Sequence, residues 1–383
     1  MRKLIILFLL PLLLQACSGK KKLPLGAKEG PQLIEKTVFA DNSKDSFYTE
    51  KVNTGSSLHL LLGKVPNEFE SRILLSYTSY PDTVDRVESA KITFHTLDVL
   101  GDTLSSSFQA NLYKLMSDWD ETEILEWNEV SGGNILIASA EVFPQVGDSI
   151  VFELPPDLVE GWIDTLGGEE NYGVYLESNG AEFMTDFYSK EAFVTESPVM
   201  ELVYEHNSVL DTVMIFPEKD VFVLDENLNL DENSLYIGKG VAIRSLVQFN
   251  VSEEINQNAT INRAELILKI NQEGSLFEGT GAADIVVMRA TSEAPDPQDI
   301  EIDSTFSGYM GSVLNDTVRV DLTGLFQLWS FEDEDFVNYG LILQSLGESE
   351  NLRRVAFYGS SADSTLAPQI LVRYTLPPGD SNY

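Results

Sequence analysis

The chain reads as all-β, with two tandem antiparallel β-sandwiches. Three observations predict this. First, short β-branched and aromatic runs alternate apolar with polar residues and are bounded by Gly, Asn, Asp or Pro, the mark of half-buried antiparallel strands. Second, only two short segments carry helical spacing. Third, the same anchors occur twice, about 170 residues apart. Asn171-Tyr172-Gly173-Val174 returns as Asn338-Tyr339-Gly340-Leu341, and Phe187-Tyr188-Ser189 returns as Phe357-Tyr358-Gly359. The step from Phe187 to Pro198 equals that from Phe357 to Pro368, and the step from each proline to Tyr204 or Tyr374 is also the same. Matched spacing over two segments indicates a duplicated module.

The front end is an export signal over residues 1–16. Arg2-Lys3 opens it, and Leu4 to Leu14 is an apolar run broken only by Pro11. That run is too short to span a bilayer, which takes about 20 residues. The closing Leu14-Gln15-Ala16-Cys17 resembles the lipobox of bacterial lipoproteins, in which the cysteine is lipidated and becomes the mature N-terminus. Cys17 is the only cysteine, so no intrachain disulfide forms and the core must hold the fold. The resemblance implies at least two acyl chains, enough for stable membrane attachment. By the same resemblance, Ser18, in place of an inner-membrane Asp, implies the outer membrane of a Gram-negative cell, with the protein periplasmic or surface-exposed. Residues 17–36, with Lys20-Lys21-Lys22 and several Gly and Pro, read as a flexible tether.

The first module is expected over residues 37–207, the second over 208–376, and a tail over 377–383. Lys91-Ile92-Thr93-Phe94-His95, Ser149 to Leu154 and Val199 to Tyr204 alternate as strands in the first. Ala264 to Ile270 and Gln369 to Tyr374 do so in the second. Helical spacing is confined to Pro156–Ile163 and Leu322–Trp329, each about nine residues before its Asn-Tyr-Gly segment. Many short strands with one helical turn per module argue for a sandwich over a βαβ fold. The copies also agree at their start. Leu58-His59-Leu60, Gly63-Lys64 and Arg72 match Leu235-Tyr236-Ile237, Gly238-Lys239 and Arg244. Ser89-Ala90-Lys91-Ile92 matches Arg263-Ala264-Glu265-Leu266.

These anchors resemble the DNRLRE-type domain, also known as family 96 of the carbohydrate-binding modules. They are a strand ending in L-Y-x-G, an arginine opening the next strand, A-x-L-x-L, a tryptophan on a short helix, N-Y-G and a closing P-x-L-x-V-x-Y. The first copy adds Trp119-Asp120-Glu121-Thr122 and Trp127-Asn128, with Glu126 where the family carries threonine. The second has Ser292-Glu293-Ala294-Pro295-Asp296-Pro297 instead, without tryptophan. The resemblance covers roughly residues 40–375. It implies a jelly-roll-like sandwich in an exported, polysaccharide-associated protein, with uronic-acid-rich glycans among the ligands of some members.

Removing residues 1–16 deletes Arg2 and Lys3 and no acid, taking the net charge from −36 to −38. Such a surface excludes nucleic acid as a partner held by bulk charge. The three histidines, His59, His95 and His206, have no HxxxH or HExxH partner, and neither a G-x-S-x-G elbow nor a glycine-rich phosphate loop is present. The expectation is a protein that is not an enzyme and needs no cofactor beyond, at most, a structural Ca²⁺.

Aromatic rings are the usual sugar platforms. Trp119 and Trp127, with Asn128, are therefore the expected ligand contacts, unless the rings plug the end of the core. Trp162 and Trp329 read as core. Arg72, Lys64, Arg244 and Lys239 are the basic groups a uronate would meet, with internal salt bridges as the competing use of the arginines. Asp225 to Asp231 begins like an EF-hand but has Leu230 and Tyr236 at the required glycine and glutamate. Looser oxygen cages for Ca²⁺ are Asp118, Asp120, Glu121 and Glu123, or Asp333, Glu334 and Asp335, with solvated charge as the alternative. The leading functional expectation is a non-catalytic surface lipoprotein that binds polysaccharide through its sandwiches. The alternative is a structural or adhesive envelope protein.

Overall fold

A computed structural model describes residues 33–101, 107–128, 135–164, 170–193, 195–257, 259–276, 285–305, 307–331 and 336–376. The predicted signal peptide, Cys17, residues 17–32 of the tether and the tail at 377–383 lie outside the described residues.

The first half of the chain forms β1 (Leu33–Phe39), β2 (Ser46–Lys51), β3 (His59–Val65), β4 (Phe69–Ser76), β5 (Arg86–Gly101) and β6 (Phe108–Lys114). It continues through β7 (Leu136–Val142), β8 (Ser149–Leu154), α1 (Pro156–Ile163), β9 (Val174–Asn179), β10 (Phe183–Tyr188) and β11 (Val199–His206). The second half opens with β12 (Val209–Ile215), β13 (Lys219–Glu226), β14 (Ser234–Lys239), β15 (Val241–Val247), α2 (Val251–Glu254) and β16 (Thr260–Leu276). It closes with β17 (Ile285–Arg289), β18 (Tyr309–Leu314), β19 (Thr317–Asp321), α3 (Thr323–Ser330), β20 (Leu341–Ser345), β21 (Arg353–Tyr358) and β22 (Gln369–Thr375).

Alternation in the sequence becomes alternation in burial. In β8 every second residue, Ile150, Phe152 and Leu154, points inward. The all-β expectation holds: two curled antiparallel sheets of eleven strands each form sandwich-like halves. Both helices legible in the sequence are present, and Trp162 and Trp329 are buried on them. Among the described residues the second half carries two more helical turns than expected, α2 and a 3-10 turn at Pro297–Asp299.

Most pairings of the two halves match, although β3 pairs with β4 and β18 pairs with β19 without a counterpart ladder in the other half. β5 pairs with β8, β10 and β11 as β16 pairs with β19, β21 and β22. β9 joins β4 to β6 as β20 joins β15 to β17. Leu60 lies opposite Phe187 as Leu235 lies opposite Phe357, so Leu60, rather than Leu58, is the counterpart of Leu235. Leu75 opposite Val174 and Val247 opposite Leu341 keep Arg72 and Arg244 at one equivalent position.

The modules do not divide at residue 207. β12, expected to open the second module, pairs with β11, and β13 pairs with β4. β1 and β2, expected in the first module, pair with β22 and β15 of the second. Each sandwich is thus completed by the two strands that precede the other one in sequence. The first sandwich comprises residues 59–226, and the second comprises residues 234–375 with 33–51. The physical reason is local for β12. Asn207 and Ser208 both adopt positive φ, 52° and 64°, the mirror-image turn that closes a tight hairpin back onto β11. Leu33 to Lys36, expected in the tether, are the first residues of β1.

Interior residues such as Phe94, Phe152, Phe183 and Phe187 fill the first sandwich, and Phe249, Phe326, Phe357 and Tyr374 fill the second. Val38 of β1 is part of the second core. The first core continues into Tyr236, Val241, Ile243, Leu352 and Ala356, so the halves share an apolar contact. Phe47 stands edge-on to Tyr236 at 5.1 Å. A two-pronged pair from Arg354 to Glu68, at 2.5 and 2.9 Å, crosses the same boundary.

Candidate functional site

The repeated Asn-Tyr-Gly turns anchor one edge of each sheet face. Asn171 Nδ2 donates to the Tyr77 carbonyl at 2.7 Å, and its Oδ1 accepts from Gly173 N at 3.0 Å. Asn338 makes the same two bonds to Phe249 and Gly340. Gly173 has φ +98°, and a Cβ there would lie 2.0 Å from the Leu75 carbonyl oxygen. No other residue fits that approach.

Between β6 and β7 the chain carries the tryptophans across the outer face of β13, β4 and β9. There Leu74, Leu115, Trp119, Tyr175, Val221 and Val223 form a small second core. Trp119 is 9% exposed and its Nε1 donates to the Tyr172 carbonyl at 3.0 Å. Lys219 Nζ caps it, 2.7 Å from the Trp119 carbonyl oxygen and 5.4 Å from the ring. Trp119 therefore packs and offers no open face. Trp127 is half-buried, and the Arg72 guanidinium stacks on it at 3.6 Å from the ring centroid. Asn128 beside it is exposed.

Cross-strand pairing puts Tyr113, Asn111, Glu177, Arg72, Glu70 and Lys64 on this same face. Arg72 lies 3.9 Å from Glu177, and Tyr175 Oη donates to Glu177 at 3.0 Å. Lys64 bonds Glu70 at 3.1 Å. The expected contacts Trp127, Arg72 and Lys64 thus share one face, whereas Arg244 and Lys239 belong to the other sandwich. Arg244 is clamped by Glu348 at 3.0 and 2.7 Å and by Glu50 at 2.7 Å. The Glu348 hydrogen bonds, against the opposing effect of burial, raise its pKa further. Lys239 sits half-buried at the end of β14.

A basic cluster escaped the sequence reading. Arg263, Arg319 and Arg373 border a hollow of about 320 Å³, with Arg263 and Arg319 both on Glu265 at 2.7 and 2.5 Å and Arg373 on Glu35 at 2.6 Å. The three lie on separate strands far apart in sequence, and only the pairing of β22, β16 and β19 assembles them.

The proposed carboxylate cage at Asp118, Asp120, Glu121 and Glu123 does not converge. Asp118 turns to Lys219 at 3.5 Å, and Asp120 caps its own turn by accepting from Thr122. Glu123 is exposed and accepts at its carbonyl from Asn53. Glu121 instead meets Glu191 and Asp220, with carboxylate oxygens within 4.8 Å of one another. Lys190 Nζ lies among them, 2.7 Å from Glu121 and 3.0 Å from Glu191, so the cation there is a side chain. Burial, and then the Glu191 charge, push the Asp220 pKa well above the carboxylate range. Asp333, Glu334 and Asp335 lie outside the described residues. His59 Nδ1 pairs with buried Asp186 at 2.7 Å, with Glu350 of the other sandwich 4.0 Å away, which places this histidine at the boundary between halves.

No family model and no curated protein matches the chain.

Proposed function

We propose that the chain is a non-catalytic surface lipoprotein, anchored through Cys17 at the outer membrane, that binds polysaccharide on the outer sheet face of its first sandwich. The stack of Trp127 on Arg72 carries the reading. A half-exposed ring backed by a guanidinium offers an apolar surface for a pyranose and a charged fork for a sugar carboxylate on one platform. Tyr113 and Glu177 extend that platform with hydrogen-bonding groups. The resemblance to carbohydrate-binding modules points the same way. Titration of tryptophan fluorescence with alginate, pectin and neutral glucans tests it. A saturable change with a uronate polymer, abolished in Trp127→Ala, is expected. A change that persists in Trp127→Ala, or none with any polymer, rejects this face as the site.

A second reading, a rigid spacer or adhesive component of the envelope, draws on a different observation. The exchanged strands, the shared apolar contact and the Arg354–Glu68 pair tie the two sandwiches into one body.

A further inference from the structure

The second sandwich lacks the tryptophan loop, and its surface differs most at the corresponding place. Strand register makes Leu246 the counterpart of Leu74, and the Asn-Tyr-Gly repeat makes Tyr339 the counterpart of Tyr172. Ser46 lies opposite Leu246 as Val221 lies opposite Leu74, which makes Lys44 and Asp45 the counterparts of Lys219 and Asp220. The equivalence extends to hydrogen bonds: Ser360 N donates to Asp45 Oδ2 at 2.8 Å as Lys190 N donates to Asp220 Oδ2 at 2.6 Å. In the first sandwich the space framed by Leu74, Tyr172 and Lys219 is filled by the Trp119 ring. In the second, no ring of the described residues fills it, and a groove of about 700 Å³ opens there.

We propose that this groove is a binding site for a neutral glycan chain, deepening the polysaccharide-binding reading on which it rests. Its volume falls in the range of ligand clefts, about 300–1,000 Å³. Its apolar lining is Tyr339, Leu246, Ile300 and Pro297, surfaces suited to the apolar face of a sugar. Ser43, Ser46, Ser292 and Gln248 supply hydroxyl and amide groups for sugar hydroxyls. The framework already accepts a flat ring at the equivalent place, under a lysine ammonium, in the first sandwich.

Charge selects the neutral class. Lys44 faces Glu293 at 4.0 Å, so the one lysine in the lining is balanced, and Asp45 is committed to Ser360 through two bonds, at 2.8 and 2.6 Å. An acidic chain would meet Glu293 and Asp45 with no free cation among the lining residues, whereas a neutral chain meets no such penalty.

The test uses the mature chain with Cys17→Ser and calorimetric titration with cellohexaose, laminarihexaose, mannohexaose and polyguluronate. At least one neutral hexasaccharide should bind. Tyr339→Ala should weaken that binding tenfold or more, and so should Ala294→Trp, which returns an indole to the loop. Val209→Ala, on the exposed face of β12 in the other sandwich, should leave it unchanged, and thermal melts should confirm that each variant is folded. Neutral-sugar binding indifferent to both groove variants overturns the groove while leaving the glycan reading intact. So does binding of polyguluronate alone with dependence on Trp127. No binding of any of the four overturns both.

Discussion

Arg72 and Arg244 occupy the same position in two copies of one sheet, yet their surroundings have diverged. Arg244 is held by two carboxylates, Glu348 and Glu50, and serves the fold. Arg72 lies 3.9 Å from Glu177 and stacks its guanidinium on Trp127. The loops above them diverge in parallel, one packing an indole against the sheet and the other leaving a groove. A duplicated frame thus keeps most of its backbone pairings while the outer face changes its chemistry. The inner faces, which determine the pairings, had no such freedom, because close-packed interiors penalise even small volume changes.

The comparison can be broken most severely at the exchanged strands. Deleting residues 33–51 removes both β1 and β2, baring the edges of β22 and β15. Hydrogen exchange should show protection lost in those two strands, while β5 and β10 of the first sandwich keep theirs. Equal loss in both halves would mean that the halves are one cooperative unit. Next in size, Trp119→Ala should cost about 3–5 kcal/mol by urea unfolding, as for other buried aromatics. The alanine variant should also open a groove there like that of the second sandwich. An effect below 1 kcal/mol would mean the ring is not the plug it looks to be.

Smaller still, Arg244→Ala should destabilise by about 1.5–3 kcal/mol, since it strands a carboxylate on a mostly buried Glu348. Arg72→Ala, at a guanidinium as covered as that of Arg244, should cost about 1–2 kcal/mol, the scale of a partly desolvated cation–π contact. Reversed magnitudes would refute the assignment of Arg244 to the fold and of Arg72 to the Trp127 platform.

The smallest effect concerns pH at the boundary between the halves. Burial alone would lower the His59 pKa, but the hydrogen bond and charge of Asp186, with Glu350, raise it above its usual 6.5. Burial also raises Asp186. Both folded values exceed the unfolded ones, so folding takes up protons. The His59 contribution is complete below about pH 6.5. It is lost as pH rises through the folded value, and the Asp186 term runs in the same direction. Urea midpoints should therefore fall between pH 6 and 8.5 in the parent, and His59→Gln should flatten that slope.

Much of the fold was legible because period-two alternation reports burial directly, as in Ser149 to Leu154. The two helices were legible from the spacing of Leu158, Val159, Trp162 and Ile163 and its echo at Leu325, Phe326 and Trp329. The strand exchange was not, because alternation says which face is buried and is silent about which edge a strand joins. Lys44-Asp45-Ser46-Phe47 repeats as Lys219-Asp220-Val221-Phe222, which marks the two strands as equivalent without saying which sandwich each joins.

Of the candidate site, residue type identified Trp127 and Arg72 but could not separate Trp127 from the buried Trp119. That difference rests on the Trp119 hydrogen bond to Tyr172, a contact across more than fifty residues. The cluster of Arg263, Arg319 and Arg373 depended wholly on strand order.

A disulfide between β1 and β22 tests the exchange most directly. Thr37 and Leu371 lie opposite each other in that pair, and Cys17→Ser removes the only other thiol. Thr37→Cys with Leu371→Cys should oxidise readily to an intramolecular bridge in a monomer, visible by mass spectrometry as a peptide linking the first strand to the last. Free thiols after oxidation, or bridges only between separate chains, would contradict a second sandwich closed by its own N-terminal strands.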